Sequence, residues 1–185
     1  FPVPQDGGYK DVTINVPSLT VNADFTVSGD WTNTNTFNSS SGNTITFNGT
    51  SQQTISGNSG INNFNNIVLN NSAGLEMTSG TVNIEETMES SSGKITLNGA
   101  SLTLKSSSEN SAGIIKVSSA SDFDNSSGSF TVERYLNPLS AGWRMFGCPI
   151  KNADFSDWDD ELIYCGITTG IGNYSYSDCG NFYSV

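Results

Sequence analysis

Short runs of alternating apolar and polar residues fill the first two thirds of the chain. In residues 11–16 the side chains of Val12, Ile14 and Val16 alternate with polar ones, which predicts a strand with one buried face. Similar runs follow at residues 18–21, 24–27, 31–37, 44–56, 61–69, 80–84, 94–106, 114–117 and 129–132. Asn, Gly and Ser separate these runs, and no helical pattern precedes residue 130, so the sequence predicts an all-β fold.

An internal repeat organises this series of strands. Residues 44–56, TITFNGTSQQTIS, return fifty residues later as residues 94–106, KITLNGASLTLKS. Repeats of this kind usually stack, so that each unit covers the apolar face of the next. We therefore predict a right-handed parallel β-solenoid with rungs of roughly 20 to 25 residues. On this prediction two rungs fill each fifty-residue offset, and the Val, Ile, Leu and Phe side chains point inward.

A β-sandwich is the alternative fold. Each copy of the repeat carries an Asn-Gly pair between its two strands, at 48–49 and 98–99, and such pairs are typical of hairpin turns. A sandwich, however, needs longer strands than most of these runs supply, which favours the solenoid.

Composition changes near residue 132. Residues 1–131 contain 9 aromatic residues and no arginine, whereas residues 132–185 contain 10 aromatic residues together with Arg134 and Arg144. We therefore predict a β-strand-repeat solenoid over residues 1–131 and the start of a second, aromatic-rich β domain over residues 132–185. The second domain is expected to be incomplete, because the final residues read as the middle of a strand.

The charge balance restricts the partners of the chain. Eighteen acidic and seven basic residues give a net charge of -11. Nucleic acids and anionic membrane surfaces both require clustered Lys and Arg, so neither is an expected partner. No apolar run approaches the ~18 residues of a membrane span, which argues against membrane insertion.

Three cysteines and no histidine limit the redox and catalytic chemistry. Cys165 and Cys179 flank a glycine-rich segment, and a disulfide between them would close a loop of about 15 residues, worth roughly 3 kcal/mol. An extracellular setting would favour that bond. Cys148 is expected to be a buried free thiol, because no histidine exists to activate it as a nucleophile.

Two segments after residue 131 resemble one protein family. Residues 132–136 read VERYL, and residues 142–147 read GWRMFG ahead of a glycine-rich segment and a Tyr/Phe-rich end. Together with 44–57 and 64–74, they resemble the large secreted surface proteins of Bacteroidetes that the type IX secretion system exports. The resemblance implies an extracellular or cell-surface location, with the type IX secretion machinery as a partner. It supplies no catalytic residues, and Cys148 stands where family members often carry Ser.

An acidic segment at residues 152–161 is the candidate metal site. Carboxylates at this density suit Ca²⁺, which prefers six to eight oxygen ligands. The candidate ligands are Asp154, Asp157, Asp159 and Asp160. The alternative is a short helix capped by Ser156, with the acidic side chains at its positive end.

Two further patterns have both a functional and a structural interpretation. The run Glu85, Glu86 and Glu89 could supply the paired carboxylates of a glycosidase, but a solvated turn is the favoured interpretation. The alternating Thr32, Thr34 and Thr36, with Thr44 and Thr46, suggest a flat ice-binding face. Later strands carry Ser, Lys and Glu instead, so ordinary strand propensity is favoured.

Aromatic side chains could also stack on sugars. Of the tryptophans, Trp158 is the best candidate for an exposed platform, Trp143 is expected in a core, and Trp31 is a third candidate. We therefore predict a non-catalytic, extracellular structural or adhesin-like module. The alternatives are a carbohydrate-binding module or a carbohydrate-active β-helix enzyme, with polysaccharide or cell-surface components as partners.

Overall fold

The structure, a computed structural model, describes residues 8–108 and 111–135. They belong to the first of two compact units, Phe1–Leu136, while the second unit, Asn137–Val185, lies outside the described residues. Within the described part, the helical content is one 3-10 turn at Ala120–Asp122, and strands and tight corners make up the rest. The all-β prediction is therefore confirmed.

The strands wind into a parallel β-solenoid of about five turns. Each turn contributes one strand segment to each of three faces, which we call faces A, B and C. Face A stacks β1 (Gly8–Tyr9), β4 (Phe25–Val27), β7 (Thr44–Phe47), the second parts of β9 (Ile61–Asn70) and β11 (Thr81–Ser92), and β13 (Ile114–Lys116). Face B stacks β2 (Val12–Ile14), β5 (Trp31–Asn33), β8 (Gln53–Ser56), β10 (Leu75–Met77), and the first parts of β12 (Ile95–Leu104) and β14 (Phe123–Val132). Face C stacks β3 (Ser18–Val21), β6 (Thr36–Ser39), the first parts of β9 and β11, and the second parts of β12 and β14.

Every strand pairing among the described residues is parallel, so the solenoid prediction is confirmed and the sandwich alternative is wrong. The Asn-Gly pairs turn corners between faces. In a hairpin the strand after the pair would bond to the strand before it. Here the strand after each pair bonds instead to strands of the neighbouring turns.

The fifty-residue repeat does not correspond to two stacked rungs. Ile45 pairs with Ile67 on face A, whereas Ile95, its equivalent in the second copy, pairs with Leu75 on face B. The second copy is therefore shifted by one face of the triangular turn. The physical reason is that the repeat encodes only a strand, a corner and a strand, and this unit fits any corner.

Two of the strands predicted from the sequence are wrong in extent, because the chain turns a corner within them. The run 31–37 is two strands, β5 and β6, because the chain turns at residues 34–35. Val16, expected to face inward with Val12 and Ile14, is 45% exposed because β2 ends at Ile14 and the chain turns before Pro17.

The core is a continuous column inside the three faces. In the turns nearer the N-terminus this core is aromatic. The ring of Trp31 lies 4.7 Å from that of Phe37 and 5.3 Å from that of Phe64, centroid to centroid. In the later turns the core is aliphatic, and residues such as Met88 and Leu97 are fully buried. Each such side chain contributes about 1.5–3 kcal/mol through burial, so the column is the main source of stability.

The corner between faces B and C is tightly packed in the middle turns. Gly57 has φ +136°, and a Cβ atom there would lie 1.7 Å from the carbonyl oxygen of Asn33 in the turn above. Only glycine suits a position that combines positive φ with such a close backbone approach.

Candidate functional site

The calcium ligands, the exposed tryptophan and the disulfide predicted from the sequence all lie in the second unit. They are Asp154, Asp157, Asp159, Asp160, Trp158, Cys165 and Cys179, and all lie outside the described residues. Trp143 and Cys148 lie outside them too. Each of these assignments stays a prediction.

Trp31 is not a sugar-binding platform. Its side chain is fully buried, and its indole Nε1–H donates to Oδ1 of Asn62 at 2.8 Å. The sequence pattern missed this role because Trp31 begins a short strand whose inward face was not identifiable from residues 31–37 alone.

The acidic run lies along strand β11, with its first two members at a corner where Glu86 is exposed and its third member on face A. The pairing register of β11 shifts between Ile84 and Thr87, so Glu85 and Glu86 occupy the corner between faces C and A. Glu86 accepts a hydrogen bond from Nδ2 of Asn66 at 3.1 Å. Glu89 lies next to Lys116 in the outward row of face A.

The alternating threonines also separate. Thr32 lies on face B, Thr34 is exposed at the corner, and Thr36 lies on face C. They therefore do not form one ladder. The ordered polar surface lies elsewhere, along the stacking direction of face C.

Face C presents two outward rows of side chains, one residue from each layer. The first row is Ser18, Thr36, Ile61, Thr81, Ser101 and Ser129. The second row is Thr20, Asn38, Asn63, Asn83, Thr103 and Thr131. None of these twelve positions carries a charge. Each strand segment thus presents a pair of outward residues, two apart in sequence, on either side of an inward-facing one.

Hydrogen bonds fix the amides of the second row. Nδ2 of Asn63 donates to Oδ1 of Asn38 at 2.8 Å, and Nδ2 of Asn83 donates to Oδ1 of Asn63 at 2.7 Å. The three amides therefore share one orientation. Among the described residues, no partner engages the hydroxyls of Thr36, Thr81 and Thr103, and all three side chains are partly exposed.

Faces A and B differ from face C in charge. One of the two outward rows of face A runs Thr26, Thr46, Val68, Glu89 and Lys116, and the other, Thr44, Asn66, Thr87 and Ile114, is uncharged. A row on face B runs Thr54, Glu76, Thr96 and Asp124. The neutrality of face C is therefore a local property of that surface, on a chain whose net charge is -11.

A sequence signal for face C exists, but it was missed. The tripeptides SLT, TFN, INN, TVN, SLT and SFT begin at residues 18, 36, 61, 81, 101 and 129. They recur once per turn, with a polar residue at the third position. The varying turn length hides this period until the register is known.

Two ion pairs connect the last two layers. Nζ of Lys94 lies 2.7 Å from Oδ2 of Asp124 on face B, and Lys105 pairs with Glu133 just after face C. Hydrogen bonds from Lys94 and Ser126 hold the pKa of Asp124 well below its usual range. The Lys105 hydrogen bond likewise lowers the pKa of Glu133. These pairs favour the ionised form of both carboxylates in the folded state.

Buried amides connect the turns internally, and the sequence did not reveal them. Oδ1 of Asn62 accepts from Trp31 and, at 2.9 Å, from Nδ2 of Asn33, both in the preceding turn. At the corner between faces A and B, Oε1 of Gln53 accepts from the backbone of Gly49 and from Asn71, while its Nε2 donates to backbone carbonyls of the turn above. These side chains hold the stack in register and are not available to a ligand.

The described residues offer no preformed metal centre, since no three Asp, Glu, Cys or His side chains come together there. No helix in the same residues has the length and apolarity needed to cross a membrane.

Comparison of the chain with protein-family models, with curated proteins and with solved structures finds no match.

Proposed function

We propose that the chain is a non-catalytic structural module of a secreted or cell-surface protein, with the solenoid acting as a rigid spacer. The observation that carries this proposal is the use of polar side chains between turns. Oδ1 of Asp30 accepts the backbone N–H of Thr54 at 2.8 Å, and Oδ1 of Asp24 accepts that of Thr44 at 2.8 Å. Carboxylates that could serve chemistry are thus used to join one turn to the next.

The dimensions suit a spacer. Neighbouring parallel strands lie about 4.8 Å apart, so the five spacings between six stacked segments extend the chain by about 24 Å. Because each turn buries its apolar side chains against the next, length is added in regular units without a new core. The proposal extends to export by the type IX secretion system, which rests on the sequence resemblance at residues 132–136 and 142–147.

Removal of one whole turn tests the spacer role. Thr81 and Ser101 are register partners, so deletion of residues 81–100 joins Gly80 to Ser101 and removes one complete turn. We expect this variant to fold with a cooperative urea transition, whereas deletion of residues 81–90 leaves half a turn and prevents stacking. Equal loss of structure in both variants would contradict the modular architecture on which the spacer role depends.

Affinity electrophoresis of the full chain, through gels that contain a panel of soluble polysaccharides with and without Ca²⁺, tests the absence of a sugar-binding role. A spacer migrates equally in all gels. Retardation that Trp158→Ala abolishes would replace the proposal with a carbohydrate-binding module. Release of reducing sugar from any of the polysaccharides would replace it with an enzyme.

Export is tested in cells that produce the parent protein. We expect the protein at the surface or in the medium of normal cells, and inside the outer membrane of cells that lack type IX secretion. Equal surface exposure in both strains would exclude that route.

A further inference from the structure

The two copies of the repeat place the same reactive pair of residues in different surroundings. Asparagine followed by glycine is prone to spontaneous deamidation, because glycine has no Cβ atom to hinder attack by its own backbone nitrogen. The chain contains two such pairs, Asn48-Gly49 and Asn98-Gly99. The residues on either side of both pairs are uncharged, so the two pairs should react alike in an unfolded chain.

The reaction needs only water as a co-reactant. The backbone nitrogen of the glycine loses its proton and bonds to Cγ of the asparagine side chain. The Cγ–Nδ2 bond breaks, and the departing NH2 group takes up a proton and leaves as ammonia. Water then opens the cyclic imide at either of its carbonyl carbons, which gives aspartate or isoaspartate. A glycine whose N–H is held in a buried hydrogen bond is therefore protected at the first step.

At Asn48 the fold blocks that first step. The backbone N–H of Gly49 donates to Oε1 of Gln53 at 2.8 Å, and Gln53 is only 1% exposed. The Gln53 amide is itself held by Asn71 and by a backbone carbonyl of the preceding turn. Loss of the Gly49 proton would leave two buried acceptors facing each other, which is costly. Gly49 is also closely packed, since a Cβ atom there would lie 2.7 Å from the carbonyl oxygen of Ser28.

The second pair lies at a different corner, where this protection is missing. Asn98 and Gly99 are both exposed, and the register between β12 and β14 is irregular on either side of Asn98. Thr103 takes the place that Gln53 has in the first copy, but it points outward on face C. Nδ2 of Asn98 donates to Oε1 of Glu76 at 2.7 Å, at the exposed surface, where water can replace this bond.

We propose that Asn98 is the residue at which the folded chain deamidates, and that Gln53 protects Asn48 from the same reaction. The product places a second carboxylate beside that of Glu76, so a hydrogen bond between neighbouring turns becomes a repulsion. Isoaspartate also adds a carbon atom to the backbone at this corner. Deamidation therefore loosens the stack at one defined place, between the turns that contain β10 and the first part of β12.

Peptide mapping of the full chain tests the proposal. The folded chain is kept in warm, mildly alkaline buffer made with heavy-oxygen water, and samples are digested at mildly acidic pH to stop the reaction. Trypsin releases residues 95–105, in which Asn98 is the only asparagine, and chymotrypsin releases residues 48–64. We expect heavy oxygen to enter residue 98 at least about tenfold faster than residue 48, a ratio that corresponds to about 1.4 kcal/mol of activation free energy. In urea the two rates should be similar.

Two variants test the role of Gln53. Gln53→Ala removes the acceptor of the Gly49 N–H and should raise the rate at Asn48 at least about tenfold. Gln52→Ala, at the exposed neighbouring position, should leave that rate unchanged.

The proposal is overturned if both sites of the folded chain react at one rate, or if Asn98 does not react. It is also overturned if the same ratio persists in urea, because local sequence would then account for it. A Gln53→Ala variant that keeps the circular dichroism spectrum of the unmodified chain, but in which Asn48 stays unreactive, overturns it as well. If Gln53→Ala does not fold, the unmodified chain in buffer and in urea still decides whether the fold protects Asn48.

Discussion

The bond between Trp31 and Asn62 allows a quantitative test of how the solenoid is held in register. Asn62→Ala removes the acceptor that lies 2.8 Å from the buried indole Nε1. Asn33 loses less, because its Nδ2 keeps the carbonyl oxygens of Ile61 at 3.1 Å and Asn35 at 3.2 Å. The main cost is therefore one orphaned buried donor, which is worth about 1–3 kcal/mol.

We expect Asn62→Ala to lower the free energy of unfolding by about 2 kcal/mol, the middle of that range. For a chain of this size, this corresponds to a fall in Tm of about 4–8 °C. The assay is urea unfolding followed by far-ultraviolet circular dichroism and by tryptophan fluorescence. Agreement between the two probes justifies a single free energy. Asn63→Ala is the matched control, because Asn63 is the next residue on β9 but points outward, and the loss of its part-buried amide bonds to Asn38 and Asn83 should cost about 1 kcal/mol.

A double-mutant cycle isolates the hydrogen bond from the packing. Trp31→Phe removes the donor, so Asn62→Ala in that background should cost about 1–2 kcal/mol less than in the unmodified chain. The reasoning is refuted if the cost is the same in both backgrounds. It is also refuted if Asn62→Ala and Asn63→Ala are equally mild.

Three further predictions follow from the geometry, all measured by urea unfolding. Gly57→Ala should destabilise by about 2–5 kcal/mol, the sum of backbone strain of about 1–2 kcal/mol and overpacking of about 1–3 kcal/mol. Gly42→Ala, where φ is +80° but nothing lies within 4 Å, should show the strain alone. Met88→Ala should cost about 2–5 kcal/mol, because the side chain is fully buried. Because the folded pKa of Asp124 is depressed by Lys94, the stability that Asp124→Asn removes should be fully present above about pH 5 and lost as the pH falls toward the folded pKa.

Each of these has a contradicting result. Equal losses for the two glycine variants would show that the corner relaxes. A Met88→Ala loss below 1 kcal/mol, on the order of a surface substitution, would place the residue outside the core. A gap between wild type and Asp124→Asn that widens as the pH falls from 5 would reverse the sign of the linkage.

Much of the secondary structure could be predicted from local pattern. Alternation in segments such as 12–14 and 25–27 marks strands with one buried face, and Asn-Gly pairs mark the corners. Stacking could be predicted too, because strands this short cannot bury their apolar side chains unless neighbouring turns cover them. Local pattern failed at Val16 and within 31–37, where a strand ends at a corner although the alternation continues for a few residues.

The repeat was a less reliable guide than the strands. Its two copies are similar in sequence, yet one spans faces A and B and the other spans faces B and C. Sequence similarity reports the local strand–corner–strand unit, and it carries no information on which of three corners that unit occupies.

The strands, the corners, the apolar composition of the core and the acidic, low-charge character of the surface depend on neighbouring residues and are therefore readable from the chain alone. Which residues share a face depends on how the turns pair. The turns vary from 18 residues, between Ser18 and Thr36, to 28 residues, between Ile95 and Phe123. The loops at the corners differ in length, so equivalent residues of neighbouring turns are unevenly spaced along the chain although the strands still stack in register. The neutral rows of face C and the buried bond between Trp31 and Asn62 therefore join residues whose spacing along the chain is irregular, and only the pairing of the turns brings them together.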